Sequence, residues 1–148
     1  VKGEEVGVNS AVGNGGGLEA AVARVGDRWS LLIIDALLEG PRRWKDLVEA
    51  VPGVAPNVLS ARLRRLEQHG LVVSEPYSAR PVRYEYQVSA EGKELAGALR
   101  LLAGWGARAS GGAAGPRHAA CGTPLEPRWY CGTCDRLAEP ADDAVAWL

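Results

Sequence analysis

Histidine is scarce in this 148-residue chain: His69 and His118 are the only two, so few side chains are suited to act as a general base near neutral pH. The sequence also has no glycine-rich phosphate loop and no paired-histidine motif of a metallohydrolase. These shortages argue against an enzyme. No apolar run approaches the roughly 20 residues that cross a bilayer, and the run after Trp29 falls well short. No leader pattern precedes residue 18; Glu4-Glu5 and the glycines around them read as a flexible arm over residues 1–17. Cysteine is limited to three residues, all late in the chain, and three thiols cannot close a disulfide framework without leaving one over. A cytoplasmic location with reduced thiols is the expectation. The formal net charge of −1 gives no general attraction to a polyanion.

What is present is a pattern in the middle of the chain. Leu59, Leu63 and Leu66 recur at spacings of four and three, which places them on one face of a helix starting near Ala55 or Pro56, with Gly70 as the stop. Pro56 suits the first turn, where its missing amide hydrogen costs nothing. The opposite face carries Asn57, Ala61, Arg64 and Gln68, with Ser60 and Arg65 at its flanks. Short polar side chains, a small Ala61 and a forked arginine suit a DNA major groove; an ordinary solvated cationic face is the alternative. Arg62 lies near the buried stripe and is expected to pack its stem there.

The residues after the helix favour the first reading. Leu71-Val72-Val73 is short and β-branched, and Val82 to Val88 alternates with period two. Pro76 to Pro81 between them is expected to be a loop, because two prolines interrupt a ladder. The result is a hairpin with Arg80 at its tip and Arg83 on the returning strand, suited to a minor groove or flanking phosphates. Upstream, Asp27 or Ser30 can cap an apolar helix through Leu38, ended by Gly40-Pro41. A shorter helix from about Arg43 to Val51 then buries Trp44, Leu47 and Val48. Two short-linked helices followed by a hairpin make a winged helix-turn-helix.

At this point the chain resembles a known family. Val25-Gly-Asp-Arg-Trp29, Leu31-Leu-Ile-Ile34, Leu38, Gly40, Trp44-Lys-Asp-Leu47, Val58-Leu-Ser-Ala-Arg-Leu-Arg-Arg-Leu-Glu67, Gly70-Leu71, Pro81-Val-Arg-Tyr84 and Gly92 occur in order. They are similar to the HxlR-type transcriptional regulators of bacteria, relatives of the MarR group, over roughly residues 18–106. The resemblance implies a homodimer on a pseudo-palindromic double-stranded DNA operator. It also implies that Asn57, Ser60, Arg64 and Arg65 belong to a recognition helix, and Arg80 and Arg83 to a wing. Several regulators of this kind resemble thiol sensors with a cysteine upstream of the Gly-Asp-Arg-Trp stretch. Here that region reads Gly15-Gly16-Gly17, so sensing through that position is not expected.

Charge is distributed in keeping with this. Between Pro41 and Arg83 lie eight arginines or lysines (Arg42, Arg43, Lys45, Arg62, Arg64, Arg65, Arg80, Arg83) against four acids, a surplus of four that leaves −5 on the rest. Two copies of one recognition helix need centres roughly 34 Å apart to enter successive major grooves. Dimerisation is expected through the outer helices. One runs from about Leu18 to Arg24; the other is capped by Ser89 and carries the stripe Leu95, Leu99, Leu102 and Trp105. Trp29, Tyr84 and Trp105 offer planar apolar surface to a small aromatic effector in a dimer cleft, with core packing as the alternative. His69, at a helix end, is explained as a cation at the negative pole of the helix dipole.

After Trp105 the composition changes. Residues 108–117, rich in Ala, Gly and Ser, read as a linker that divides a DNA-binding and dimerisation domain (18–107) from a small unit (118–148). His118-x2-Cys121 and Cys131-x2-Cys134, nine residues apart, match the spacing of a tetrahedral structural zinc site. A Cys131-Cys134 redox dithiol, or thiols without a metal, are the alternatives. Gly122 and Gly132 suit tight knuckle turns, and so short a unit needs a crosslink in order to fold. Trp147-Leu148 can tether the tail to the body. The fold expected is α+β: a winged helix-turn-helix with flanking dimerisation helices and a zinc-ribbon-like unit. Its function is then sequence-specific DNA binding. A metal- or thiol-responsive regulator using the Cys/His cluster, and a winged-helix protein-interaction module, are the other readings.

Overall fold

The computed structural model describes residues 15–111 and 115–138. The expectations for the opening arm up to residue 14, for linker residues 112–114 and for the Trp147-Leu148 tether lie outside the described residues. The chain forms two units: one runs from Val22 to Pro127, and the other comprises Ala21 and the residues before it together with Arg128 and those after it. Among the described residues no helix is long and apolar enough to cross a membrane.

Helix α1 covers Gly15–Val25 and so begins ahead of Leu18, with Gly15-Gly16-Gly17 helical rather than part of an arm. No contact of Gly16 or Gly17 explains that extension, since a Cβ at either would meet nothing within 4 Å. Helix α2, Arg28–Leu38, is capped by Asp27, whose carboxylate accepts from the backbone N–H groups of Trp29 and Ser30. Ile33, Ile34 and Leu37 are buried on its inner side, but Leu32 is 40% exposed. The apolar helix is therefore central without being enclosed.

Gly40, at φ +148°, turns the chain into a two-residue strand, β1 (Arg42–Arg43), which was not anticipated. Helix α3 (Trp44–Ala50) follows, then α4 (Pro56–Gln68) with Pro56 in its first turn. Gly70 at φ +71° ends α4: its N–H bonds to Glu67 O and that of Leu71 to Leu66 O. This paired closure needs a left-handed residue, which glycine supplies without a Cβ penalty. Leu59, Leu63 and Leu66 are essentially inaccessible and meet Ile33, Ile34, Leu47, Val51 and Val72 in one core. Each such side chain is worth roughly 1.5–3 kcal/mol of burial.

The wing departs from expectation at Pro76. Strand β2 runs unbroken from Val72 to Ala79 and pairs antiparallel with β3 (Val82–Val88), with Pro76 opposite Tyr84 and a bulge before Ser78. The sheet order is β1-β3-β2, so β2 is an edge strand, where a missing N–H need not break a ladder. Only the tip at Arg80-Pro81 is a turn.

The outer helix also differs, being divided at Leu95 into α5 (Ala90–Glu94) and α6 (Ala96–Ala109). Ser89 caps α5, accepting from Gly92 N–H at 3.0 Å. Gly92 lies so close to the start of β2 that an added Cβ would stand 2.2 Å from Leu71 O. Glycine is thus required where this helix crosses the sheet. Along the expected stripe Leu99 is buried, Leu95 is half-buried, and Leu102 and Trp105 are 50% and 64% exposed.

In the late region, Arg117 bridges Pro124 across a tight turn closed by His118 N–H to Thr123 O and Gly122 N–H to His118 O. In the other unit, β4 (Trp129–Cys131) pairs antiparallel with β5 (Arg136–Ala138).

Candidate nucleic-acid interface

With Leu59, Leu63 and Leu66 buried, 3.6-residue periodicity turns the rest of α4 outward. Asn57, Ala61 and Arg64 are exposed there, and Arg64 has no ion pair among the described residues. Ser60 is half-buried and accepts a hydrogen bond from Trp44 Nε1 at 3.2 Å, which locks α3 to the outer side of α4. Arg80, at the wing tip, and Arg83, on β3, are both exposed.

Arg65 is used differently from the expectation. Its Nη2 donates to Ala23 O at 2.6 Å, and its Nη1 lies 4.0 Å from Asp27 Oδ2. Arg62 donates Nε to Asp27 Oδ1 at 2.8 Å, so it faces inward as its place near the buried stripe suggested. Two of the three arginines of α4 are therefore committed to the α1–α2 corner. Burial pushes the Asp27 carboxyl up, but hydrogen bonds from Ser30 and Arg62 and the Arg62 charge outweigh it and hold the group below the ordinary aspartate value.

Sequence reading missed a basin between α3 and the wing. It has a volume of about 540 Å³ and is lined by Arg43, Trp44, Lys45 and Asp46 from β1 and α3 and by Tyr77, Val82, Arg83, Tyr84 and Tyr86 from the wing. The Arg43 guanidinium stacks on Tyr77, 4.2 Å from the ring centre. Burial, aided by the Glu67 charge, pushes the Tyr86 hydroxyl up against an opposing effect of Arg64, so the phenol stays neutral at physiological pH and can donate. The basin thus adjoins the wing, and the Arg64 charge is felt at Tyr86 on its lining. Arg43 and Lys45 were visible as part of the cationic surplus, but only β1 pairing with β3 at Tyr86 and Glu85 puts them beside the wing.

The three aromatic residues expected to hold an effector are dispersed. Tyr84 lines the basin, Trp29 packs against the core beneath the Arg28 guanidinium at 4.6 Å, and Trp105 stands out from α6. A separate groove of about 440 Å³ between α2 and α6 is mostly apolar, bounded by Leu31, Leu32, Leu99 and Leu102, with Arg28 and Asp35 at its edge.

The expected metal ligands are exposed or half-buried, and their cysteines are free thiols. His118 Nδ1 and Cys121 Sγ are 3.3 Å apart across their turn, and Cys121 also bonds to Thr123 Oγ1. Hydrogen bonds from Thr123 push the Cys121 thiol down, and backbone N–H groups of Cys134 and Thr133 do the same for Cys131. Among the described residues no three His, Cys, Asp or Glu side chains are gathered as a metal requires.

The geometry on α4 and the wing agrees with the relatives of the chain. Residues 24–112 match the family of the HxlR-like helix-turn-helix. An HTH-type transcriptional regulator of Mycobacterium tuberculosis is 37% identical over 118 residues, which are 77% of this chain and 74% of that protein. The reduced form of the transcriptional regulator YodB from Bacillus subtilis superposes with a TM-score of 0.54 at 31% identity, covering 62% of this chain and 89% of that one. A transcription-factor structure from Pseudomonas aeruginosa reaches a TM-score of 0.62 at 29% identity, covering 84% of this chain and 94% of that one. That longer match takes in residues beyond those covered by YodB. The relatives are regulators of transcription, not enzymes.

Proposed function

Because the chain belongs to the HxlR-like helix-turn-helix family, and so is a transcriptional regulator of that type, we propose that it acts as a cytoplasmic homodimer binding a pseudo-palindromic double-stranded DNA operator. The observation that carries this reading is the outward face of α4, where Asn57, Ala61 and Arg64 are exposed and Arg64 has no ion pair among the described residues, on a chain whose hairpin also exposes Arg80 and Arg83. Arg64 serves as the base reader. Arg80, Arg83, Arg43 and Lys45 serve as phosphate contacts. Arg64→Ala and Arg80→Ala should each weaken operator binding, and losing a phosphate contact should lower the slope of log affinity against log salt by about one. Titrations across a salt series check this; unchanged affinity and slope for both variants would sink the assignment. A small aromatic effector would sit in a cleft formed where the α2–α6 groove, apolar and bordered by charge, meets a second copy, rather than on Trp29, Tyr84 and Trp105 acting together.

A second reading concerns the late Cys/His pairs. We propose that His118, Cys121, Cys131 and Cys134 are ligands of one structural zinc. The spacing supports it, and so does the first pair: 3.3 Å between Nδ1 and Sγ is close to the roughly 3.5 Å that two ligands of a tetrahedral zinc keep. The metal would supply a crosslink to a stretch with little apolar burial. Native mass spectrometry of reduced protein should show one zinc per chain, lost in His118→Ala with Cys131→Ser. A zinc-free wild type would count decisively against it and leave a Cys131-Cys134 redox dithiol or thiols without a metal as the alternatives.

A further inference from the structure

Three arginines stand within four residues of each other on α4, yet their situations are unlike. Arg64 is exposed and has no ion pair among the described residues. Arg62 and Arg65 both turn to Asp27, at 2.8 and 4.0 Å, and Arg65 also donates to Ala23 O. Asp27 is itself anchored. It caps α2 through Trp29 N–H and Ser30 N–H, accepts the Ser30 hydroxyl at 2.6 Å, and stands in a corner where Ser30 is fully buried. The corner is braced once more at the end of α4, where Arg24 donates to His69 O at 2.7 Å and pairs with Glu91. One carboxylate thus lies against both Arg62 and Arg65, and Arg64 is the α4 arginine it does not pair with.

Resting on the DNA-binding reading above, we propose that Asp27 is a positioning residue for DNA recognition: it withholds Arg62 and Arg65 from phosphate, so that of the α4 arginines only Arg64 is presented. Non-specific affinity grows with the number of cations that reach phosphate, whereas discrimination comes from contacts to base edges. Withholding two cations lowers binding to arbitrary duplex without touching the reader. The carboxylate thus raises specificity by subtraction. The same geometry makes Arg65 a brace between α4 and the α1–α2 corner, not a DNA contact.

The test uses Asp27→Asn in the full chain. Asparagine is an equally good N-cap, so α2 keeps its start while the charge that holds Arg62 and Arg65 is removed. Binding to operator and to scrambled duplex is measured across a salt series. For Asp27→Asn the salt slope on scrambled duplex should steepen by about one to two, scrambled DNA should bind at least several-fold more tightly, and the operator-to-scrambled ratio should fall. Adding Arg62→Gln and Arg65→Gln to Asp27→Asn should return the slope to the wild-type value. Arg65→Gln alone should leave it unchanged. A merely structural role would weaken binding to both duplexes and would not steepen a slope. An Asp27→Asn slope equal to wild type, or a reduced slope in Arg65→Gln alone, overturns the proposal. Arg64→Ala separates the two readings: if it lowers operator affinity while the Asp27→Asn slope stays put, only the positioning role fails, and if no wild-type duplex binding is found, both fail.

Discussion

Asp27 joins the start of α2 to the side of α4 through a single carboxylate, and its acidity reports that link. Hydrogen bonds from Ser30 and Arg62 outweigh its burial and hold its pKa below the ordinary value. The folded state therefore binds fewer protons than the unfolded state as the pH falls toward the aspartate range. The stabilisation is full above the unfolded value of about 3.9, and it is lost as the pH drops through the lower folded value. Wild type and Asp27→Asn should thus differ most in urea midpoint at neutral pH, with the gap closing below about pH 4. A gap that stayed constant from neutral to pH 3 would refute the link. At this scale the sequence was only partly legible. Periodicity placed Arg62 beside the buried stripe and Arg64 outside it, but gave no sign that Arg65 hydrogen-bonds Ala23 O. Its partner, Ala23 O, lies 42 positions away, and no helical period encodes a distant carbonyl.

Elements with a period were readable and elements without one were not. The Leu59, Leu63, Leu66 spacing, with Pro56 before it and Gly70 after it, located α4 to within a residue or two. A two-residue strand such as β1 has no period to detect. It exists because Arg42 and Arg43 lie against β3, and with it comes the Arg43-Tyr77 stack that forms one wall of the basin. Pro76 was misjudged for a related reason. Proline is incompatible with a central strand but not with an edge, and edge status depends on the β1-β3-β2 order, which hairpin residues cannot express. The break at Leu95 likewise follows from a tertiary approach. Gly92 seats α5 against Leu71 O, and the break leaves Leu95 at the junction while Leu99, Leu102 and Trp105 all lie on α6.

For the molecule as a whole, the uneven exposure of the α2 and α6 apolar residues carries the argument. Leu99 is buried, while Leu32 on α2 and Leu101, Leu102 and Trp105 on α6 are 40–64% exposed. Isolated exposed leucines need no explanation, but a contiguous apolar groove lined by Leu31, Leu32, Leu99 and Leu102, on a helix that also exposes Trp105, marks an interaction surface. A second copy is the occupant that fits the proposed function, since on that reading one α4 would read a half-site and a two-fold operator would require two. Leu102→Ser with Trp105→Ser changes groups that contribute little to the interior of the subunit, so the winged unit should keep its thermal transition while sedimentation shifts from dimer to monomer. Operator affinity should then fall by a factor on the order of 10² or more, because the second half-site is no longer tethered to the first. Affinity for an isolated half-site should change little, because α4 and the wing are intact. A double variant that still sediments as a dimer and binds operator like wild type would place the dimer interface elsewhere, and would leave the exposed α6 residues to a different partner.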